Sequence, residues 1–149
     1  PGRLQVIGAD PTVLVDAAHN PGGAASLAAA LDDYFHLGEI AVVFGVMADK
    51  DLPGILDHVG PHGSVFFASQ SHSSRALGHS DLARKLASRL GDQRVHDAGD
   101  VADALEAARA WAGAASGRAV LVTGSIALVG DALGVAAEHG WLRETGVRA

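Results

Sequence analysis

The sequence contains no cysteine among its 149 residues. Disulfide bridges, a catalytic thiol and cysteine-ligated metals are therefore excluded. Aromatic residues make up only 5% of the chain, so a core must consist mainly of alanine, leucine and valine. No apolar run approaches the roughly 20 residues that a membrane-spanning helix needs. We expect no membrane partner and, without a signal peptide, a cytoplasmic location.

Hydrophobic residues are nevertheless abundant, at 48% of the chain. Length and hydrophobic content together suffice for one domain with a complete core. The formal net charge is −6, which argues against a nucleic-acid partner through bulk electrostatics. A local anion site remains possible, because backbone N–H groups and a few arginine side chains suffice for it. The sequence begins with Pro1-Gly-Arg3 rather than with Met, so we expect it to be part of a longer protein.

Apolar periodicity divides the sequence into alternating strands and helices. Helix N-caps are expected at Ser80 and Asp100, before the third and fourth helices. Strands are predicted at residues 4–7, 12–16, 40–44, 64–68, 94–96 and 119–123. Helices are predicted at residues 23–35, 52–59, 81–90, 101–112 and 126–139.

This alternation predicts an α/β fold. Strands that alternate with helices form parallel sheets covered on both faces. Turn residues at 8–11 separate the first two strands and favour an antiparallel hairpin. We therefore expect a three-layer, Rossmann-like domain over residues 1–149, with a mostly parallel sheet, an antiparallel N-terminal edge strand and helices on both faces.

Polar loops follow four of the predicted strands, at residues 16–23, 48–51, 69–75 and 123–125. The carboxyl ends of parallel strands meet at one edge of a sheet, and ligands of open α/β sheets bind there. The convergence of these loops predicts a binding site at this edge.

The first loop places a carboxylate, an imidazole and an amide within five residues, as Asp16, His19 and Asn20. Asp16 suits three roles: accepting hydrogen bonds from ribose hydroxyls, holding a magnesium-bound water or capping the next helix. His19 suits binding of an anionic substrate, acid–base chemistry or a purely structural place in a loop. A turn alone does not require all three side chains, so the cluster favours a site.

The later loops contribute further candidates. Gly124 and Ser125 suit either binding of an oxyanion or carboxylate at a helix N-terminus or an ordinary N-cap. Lys50, between two aspartates, suits a solvated charge cluster or a substrate contact. Arg75 is a candidate clamp for a carboxylate or phosphate, since the guanidinium fork fits both anions.

Several common sites are absent from the sequence. Residues 123–127 lack the G-x-S-x-G pattern, which argues against a Ser125/His19/Asp16 hydrolase triad. Neither a G-x-x-x-x-G-K-[ST] phosphate loop nor a dinucleotide fingerprint occurs. Pro61 and Gly63 interrupt the metal-like spacing of residues 57–62, so no metal site is predicted.

Four segments, in this order, resemble the C-terminal domain of folylpolyglutamate synthase and of its bacterial form that is also a dihydrofolate synthase. The segments are Pro1-Gly-Arg3, Val13-Leu-Val-Asp-Ala-Ala-His-Asn-Pro21, Phe44-Gly-Val-Met-Ala-Asp-Lys-Asp51 and Val120-Leu-Val-Thr-Gly-Ser125. The wider group is the Mur ligases. The second segment is shared across that group, whereas the last two point more narrowly to the folate enzyme.

The resemblance implies an ATP-dependent ligase that joins L-glutamate to folate or dihydropteroate through an acyl phosphate, with ATP and Mg²⁺ as cofactors. It implies ATP contacts for Arg3 and Asp16 and glutamate contacts for His19 and Ser125. Asn20, Lys50 and Arg75 are candidate supporting residues.

The resemblance also implies a missing partner. The phosphate loop, the magnesium ligands and most of the folate site of such enzymes belong to an N-terminal domain, which this sequence lacks. We therefore expect this chain to be inactive alone and to form one wall of an active site. Two alternative hypotheses remain open: the chain belongs to a Mur ligase for cell-wall precursors, or it is a binding module without catalytic activity.

Overall fold

The computed structural model describes residues 4–34 and 38–144 and contains one six-stranded sheet. The strands lie side by side in the order β1-β2-β6-β3-β4-β5. β1 pairs antiparallel with β2, and all other neighbours are parallel. This arrangement confirms the predicted α/β fold with its antiparallel edge strand. The strands are β1 (Gln5–Gly8), β2 (Thr12–Asp16), β3 (Glu39–Phe44), β4 (Val65–Gln70), β5 (Val95–Asp100) and β6 (Arg118–Thr123).

Helices cover both faces of the sheet. α1, α2 and α3 pack on one face, and α4, α5 and α6 on the other. The end of the first predicted helix, Phe35, lies outside the described residues. No helix in the described ranges is long and apolar enough to cross a membrane. The helices are α1 (Pro21–Tyr34), α2 (Leu52–Val59), α3 (His79–Leu90), α4 (Val101–Gly113), α5 (Ile126–Glu138) and α6 (Trp141–Glu144).

The central strands are apolar along their whole length because each face carries its own core. In β3, Ala41 and Val43 belong to the core under α4 and α5, whereas Val42 and Phe44 belong to the core under α1 and α2. All four side chains are fully buried. The uninterrupted apolar run of this segment is therefore the sequence signature of a strand with two covered faces.

One of the two predicted caps is wrong. Asp100 is the N-cap of α4, and its carboxylate accepts a hydrogen bond from the Asp103 N–H at 2.9 Å. α3, however, begins at His79 after Gly78, so Ser80 lies inside its first turn. The Ser80 hydroxyl instead donates to Oδ2 of Asp97 at 2.8 Å. The prediction fails because the helix already begins one residue before Ser80.

The connectivity creates a crevice between β2 and β6. These strands are adjacent and parallel, with Asp16 opposite Thr123 at their carboxyl ends. β2 continues into α1 on one face, while β6 continues into α5 on the other. Adjacent strands whose helices leave to opposite faces open a crevice at the sheet edge, where α/β proteins bind ligands.

Candidate functional site

A cleft of about 620 Å³ opens at this crevice, between α1 and α5. The loop after β2 provides its polar wall, and α5 provides an apolar wall. The lining residues are Leu4, Asp16, Ala17, Ala18, His19, Asn20, Gly23, Ser26, Leu27, Ala30, Ile126, Val129, Gly130 and Leu133. The sequence therefore predicted the place of the cleft and three of its polar residues.

Asp16 is buried and holds the start of the chain against the site. Its Oδ2 accepts a hydrogen bond from the Leu4 N–H at 2.9 Å, and its Oδ1 accepts one from the Ala18 N–H at 2.9 Å. It does not cap α1, so that reading of Asp16 is wrong. Each carboxylate oxygen can accept a second hydrogen bond, so the fixed carboxylate can still receive a ligand hydroxyl.

His19 is half-buried and lines the same wall. Its Nδ1 lies 3.0 Å from the carbonyl oxygen of Ala17. A carbonyl only accepts, so Nδ1 carries the proton of this hydrogen bond. In the neutral ring Nε2 is therefore the acceptor, and in the imidazolium it becomes a donor. The hydrogen bond to Ala17 therefore leaves Nε2 as the ring nitrogen that can contact a ligand.

Asn20 starts α1. Its Oδ1 accepts a hydrogen bond from the Gly23 N–H at 2.8 Å, and its backbone carbonyl accepts the first helical bond from Ala24 at 2.9 Å. Pro21 takes the first helical position, where its missing N–H costs nothing. The helix therefore begins two residues earlier than predicted, and Asn20 has a structural role besides lining the cleft.

Ser125 is buried beside the cleft but does not line it. Its hydroxyl oxygen accepts a hydrogen bond from the Leu128 N–H at 2.9 Å, so the N-cap reading describes its contact. The hydroxyl proton remains free to be donated. The preceding Gly124 donates its N–H to the Ala18 carbonyl at 3.1 Å and so ties the end of β6 to the loop of Asp16.

The remaining predicted residues lie away from this cleft. Arg75 is exposed and forms an ion pair with Asp49 at 3.4 Å. Lys50 lines a different groove, between the loop after β3 and α3. Arg3 lies outside the described residues. Of the seven candidates, the structure thus brings Asp16, His19 and Asn20 together, with Ser125 directly behind them.

The apolar wall was not predicted as part of a site. Ile126 has 64% of its surface exposed, which is unusual for a large aliphatic side chain in this fold. It follows Ser125 directly, and Val129 and Leu133 continue the same helical stripe. An isoleucine at the first position of a helix that follows a polar loop is the only sequence signal for this wall. The cleft therefore suits a ligand with both polar and apolar parts.

Two histidine–aspartate pairs fix the neighbouring strand ends. His72 contacts Asp131 of α5 at 2.5 Å, and His79 contacts Asp97 of β5 at 2.5 Å. The hydrogen bond from Ser80, and then the hydrogen bond and charge of His79, hold the pKa of Asp97 below its ordinary value, although partial burial opposes this shift. These pairs join the loop after β4 to α5 and the start of α3 to β5.

Two further observations describe the surroundings of Ser125 and His19 and the distribution of possible metal ligands. Ser125 is engaged with α5 and His19 with its own loop, and no hydrogen bond joins the two side chains in the part of the chain that the structure describes. Within residues 4–34 and 38–144, no three His, Asp or Glu side chains cluster closely enough to hold a metal ion.

Comparison with known families identifies the domain. The model of the Mur ligase, glutamate ligase domain matches residues 2–126, which include the whole polar wall of the cleft. This chain belongs to the Mur ligase, glutamate ligase domain family. Within this family domain, the matched region contains all six strands and ends at the first residue of α5.

Several relatives of this chain are folate enzymes. The dihydrofolate synthase/folylpolyglutamate synthase of Mycobacterium tuberculosis is 36% identical over 143 residues, which cover 89% of this chain and 29% of that protein. The solved Mycobacterium tuberculosis folylpolyglutamate synthase complexed with ADP and AMPPCP is 34% identical, with a TM-score of 0.84, over 95% of this chain and 32% of that one.

A further solved structure, a bifunctional folylpolyglutamate synthase/dihydrofolate synthase, has Mn, AMPPNP and L-glutamate bound. It is 30% identical, with a TM-score of 0.72, over 93% of this chain and 32% of that one. This glutamate ligase domain therefore spans about a third of the length of the relatives that it matches.

Proposed function

We propose that this chain is the amino-acid-binding domain of an ATP-dependent ligase that adds L-glutamate to folate or dihydropteroate. The observation that carries the proposal is the cleft between β2 and β6, which places Asp16 and His19 on one wall in a member of a glutamate ligase family. A relative of similar fold binds a nucleotide analogue together with L-glutamate. In this proposal an N-terminal domain, outside residues 1–149, supplies the opposite wall.

The proposed reaction has two steps. A carboxylate oxygen of the pterin substrate attacks the γ-phosphorus of ATP, so that ADP leaves as an acyl phosphate forms. The amine nitrogen of glutamate then attacks the acyl carbon, phosphate leaves and the amine loses a proton as the amide forms. Mg²⁺, whose ligands we assign to the N-terminal domain, would neutralise phosphate charge. The main task of the protein is to hold three anionic reactants together in a productive geometry.

The residue roles are those that the family resemblance implies, and the free hydrogen-bonding capacity of Asp16, His19 and Ser125 supports three of them. Asp16 accepts hydrogen bonds from ribose hydroxyls with its remaining lone pairs, and Arg3 contributes charge to the same nucleotide. His19 offers Nε2 to the glutamate, as an acceptor for the amine when neutral and as a donor to a carboxylate when protonated. Ser125 offers its hydroxyl proton to the same amino acid. Asn20 acts by fixing the start of α1.

The test is a chimera in which this chain replaces the matching segment of the Mycobacterium tuberculosis relative. We expect ATP-dependent ligation of glutamate to folate. The His19→Ala variant should raise the KM for glutamate or abolish turnover, whereas His58→Ala, which changes an exposed histidine of α2, should not. Normal kinetics of the His19 variant would remove this residue from the mechanism.

The proposed contact of Asp16 with ATP is tested by comparing the KM values for ATP and for glutamate. Asp16→Ala should raise the KM for ATP more than the KM for glutamate, and Asp33→Ala, an exposed aspartate of α1, is the matched control. The reverse order of effects would overturn the assignment.

Ligation to a UDP-muramoyl acceptor, with none to folate or dihydropteroate, would identify a cell-wall ligase instead. Tight nucleotide or glutamate binding by this chain alone, measured by calorimetry, would favour a stand-alone binding module.

A further inference from the structure

The chain has only two lysines, Lys50 and Lys85, and both line the same groove. The groove has a volume of about 800 Å³ and runs between the loop after β3, the start of α2 and the exposed face of α3. We call it the lysine groove. The two lysines lie above a floor formed by Val46, Met47, Leu52 and Leu77.

The positive charge of the lysine groove is not fully neutralised. Arg84 forms an ion pair with Asp81, and Arg89 forms one with Asp57 at 2.8 Å. Lys50 and Lys85 have no ion-pair partner among residues 4–34 and 38–144. Two unpaired lysines in one groove of a chain with net charge −6 indicate an anionic ligand.

The floor of the groove is apolar. Val46 and Leu52 are buried, and Met47 and Leu77 are half-buried beside them. A ligand that fills this groove therefore presents both negative groups to the lysines and aliphatic groups to the floor. A chain of glutamate residues has this composition, because each residue carries a carboxylate next to methylene groups. A nucleic acid does not, and the overall negative charge of the domain also opposes it.

The lysine groove begins beside the cleft. Lys50 lies in the loop after β3, at the same edge of the sheet as the loop of Asp16. Pro21, which follows the polar wall of the cleft, packs against Gly54 of α2: a Cβ at Gly54 would lie 2.6 Å from its Cγ. This contact places the end of the polar wall next to the start of α2, where Leu52 and Pro53 line the groove.

We propose that the lysine groove binds the oligoglutamate chain of a glutamylated substrate or product. This inference rests on the proposed ligase function and deepens it. Lys50 and Lys85 hold successive carboxylates, and the apolar floor receives the methylene groups. The contacts are electrostatic and partly exposed, so binding weakens as the salt concentration rises.

The two lysines allow a direct test on the 149-residue chain. Reductive methylation with ¹³C-formaldehyde keeps the positive charge and labels Lys50, Lys85 and the N-terminal amine. We expect saturable shifts of both lysine methyl signals on titration with γ-linked hexaglutamate, with about tenfold weaker binding of single glutamate because fewer carboxylates engage. Unshifted lysine signals, or an equal response to tripolyphosphate, would overturn the proposal.

Variants separate a binding site from a general charge effect. Lys85→Gln removes one charge-assisted contact and should therefore weaken hexaglutamate binding about tenfold. Lys85→Arg keeps the positive charge and should bind hexaglutamate as tightly as the wild type does. Arg118→Gln makes the same change in net charge at the opposite end of β6, where Arg118 pairs with Glu39, and should leave binding unchanged. Equal weakening by the Arg118 and Lys85 variants would contradict the proposal.

The outcome is distinguishable from that of the ligase proposal. If the chimera ligates glutamate but hexaglutamate does not shift the lysine signals, the groove inference is wrong and the ligase function stands. If hexaglutamate binds at the lysines but the chimera ligates no glutamate, the ligase function is wrong and the groove remains a site for oligoglutamate.

Discussion

Replacement of Gly124 by alanine adds a single methyl group and should destabilise this domain strongly. The φ of Gly124 is +117°, a conformation that side-chain-bearing residues rarely adopt. A Cβ at this position would also collide with the carbonyl oxygen of Gly45, at the end of the neighbouring strand β3. Gly124 lies between β6 and Ser125, so the perturbation acts at the site.

The expected loss has two parts. A non-glycine residue held in a sparsely populated backbone region costs about 1–3 kcal/mol. The overlap with a backbone carbonyl must be relieved by a shift of β3 or β6, and such overpacking costs about 1–3 kcal/mol more. We expect a total of about 4 kcal/mol for Gly124→Ala, which lowers the Tm of a domain of this size by about 8–16 °C.

Gly134→Ala is the matched control. Gly134 lies inside α5, and a Cβ there would meet nothing within 4 Å. Alanine is favoured over glycine in a helix interior by about 0.5–1 kcal/mol, so this variant should raise the Tm by about 1–4 °C. Thermal and urea unfolding followed by circular dichroism measure both. A Gly124→Ala protein as stable as the wild type would refute the argument from backbone conformation and close approach.

Three further predictions concern single hydrogen bonds. Asn20→Ala should lower the free energy of unfolding by about 1 kcal/mol through loss of the α1 cap, with Asn20→Asp near wild type in urea denaturation. The folded-state pKa of Asp97 is lower than its unfolded-state pKa, so its ionised carboxylate stabilises the fold. This contribution is complete above the unfolded pKa and is lost as the pH falls through the folded pKa, and Asp97→Asn should remove it. If the free energy of unfolding depends on acidic pH in the same way for the wild type and the variant, the prediction is wrong. ¹⁵N NMR of neutral His19 should show the proton on Nδ1, and a proton on Nε2 would exclude the bond to Ala17.

The fold could be predicted because its signals are local. Apolar runs such as residues 40–44 identify strands with two covered faces, and helical periodicity identifies the segments between them. The first residue of each helix was harder to predict, because the hydrogen bonds of capping side chains also depend on residues that are distant in sequence. Ser80 is an example: its hydroxyl has a carboxylate partner on β5, which is distant in sequence, and the sequence pattern gives no sign of it.

The site could be predicted only in part, because strand order is not visible in the sequence. All polar loops were expected at one edge, and they lie there. β3 and β4, however, are two and three strands away from β2, so at about 4.8 Å per strand their loops lie roughly 10 and 14 Å from the loop of Asp16. Lys50 and Arg75 therefore cannot share its cleft, whereas Ser125, at the end of the adjacent β6, can approach it.

The position of β6 has a consequence for how the protein is made. Of the six strands in the described residues, β6 is the last to be synthesised, yet it lies between β2 and β3 inside the sheet. Until residues 118–123 are synthesised, the hairpin of β1 and β2 has no hydrogen-bonded link to the other strands. We therefore expect late, non-local and comparatively slow folding, with the nascent β2 and β3 edges exposed until β6 inserts. The same insertion brings Gly124 to Ala18, so the nascent chain acquires its binding cleft and its complete sheet in one event.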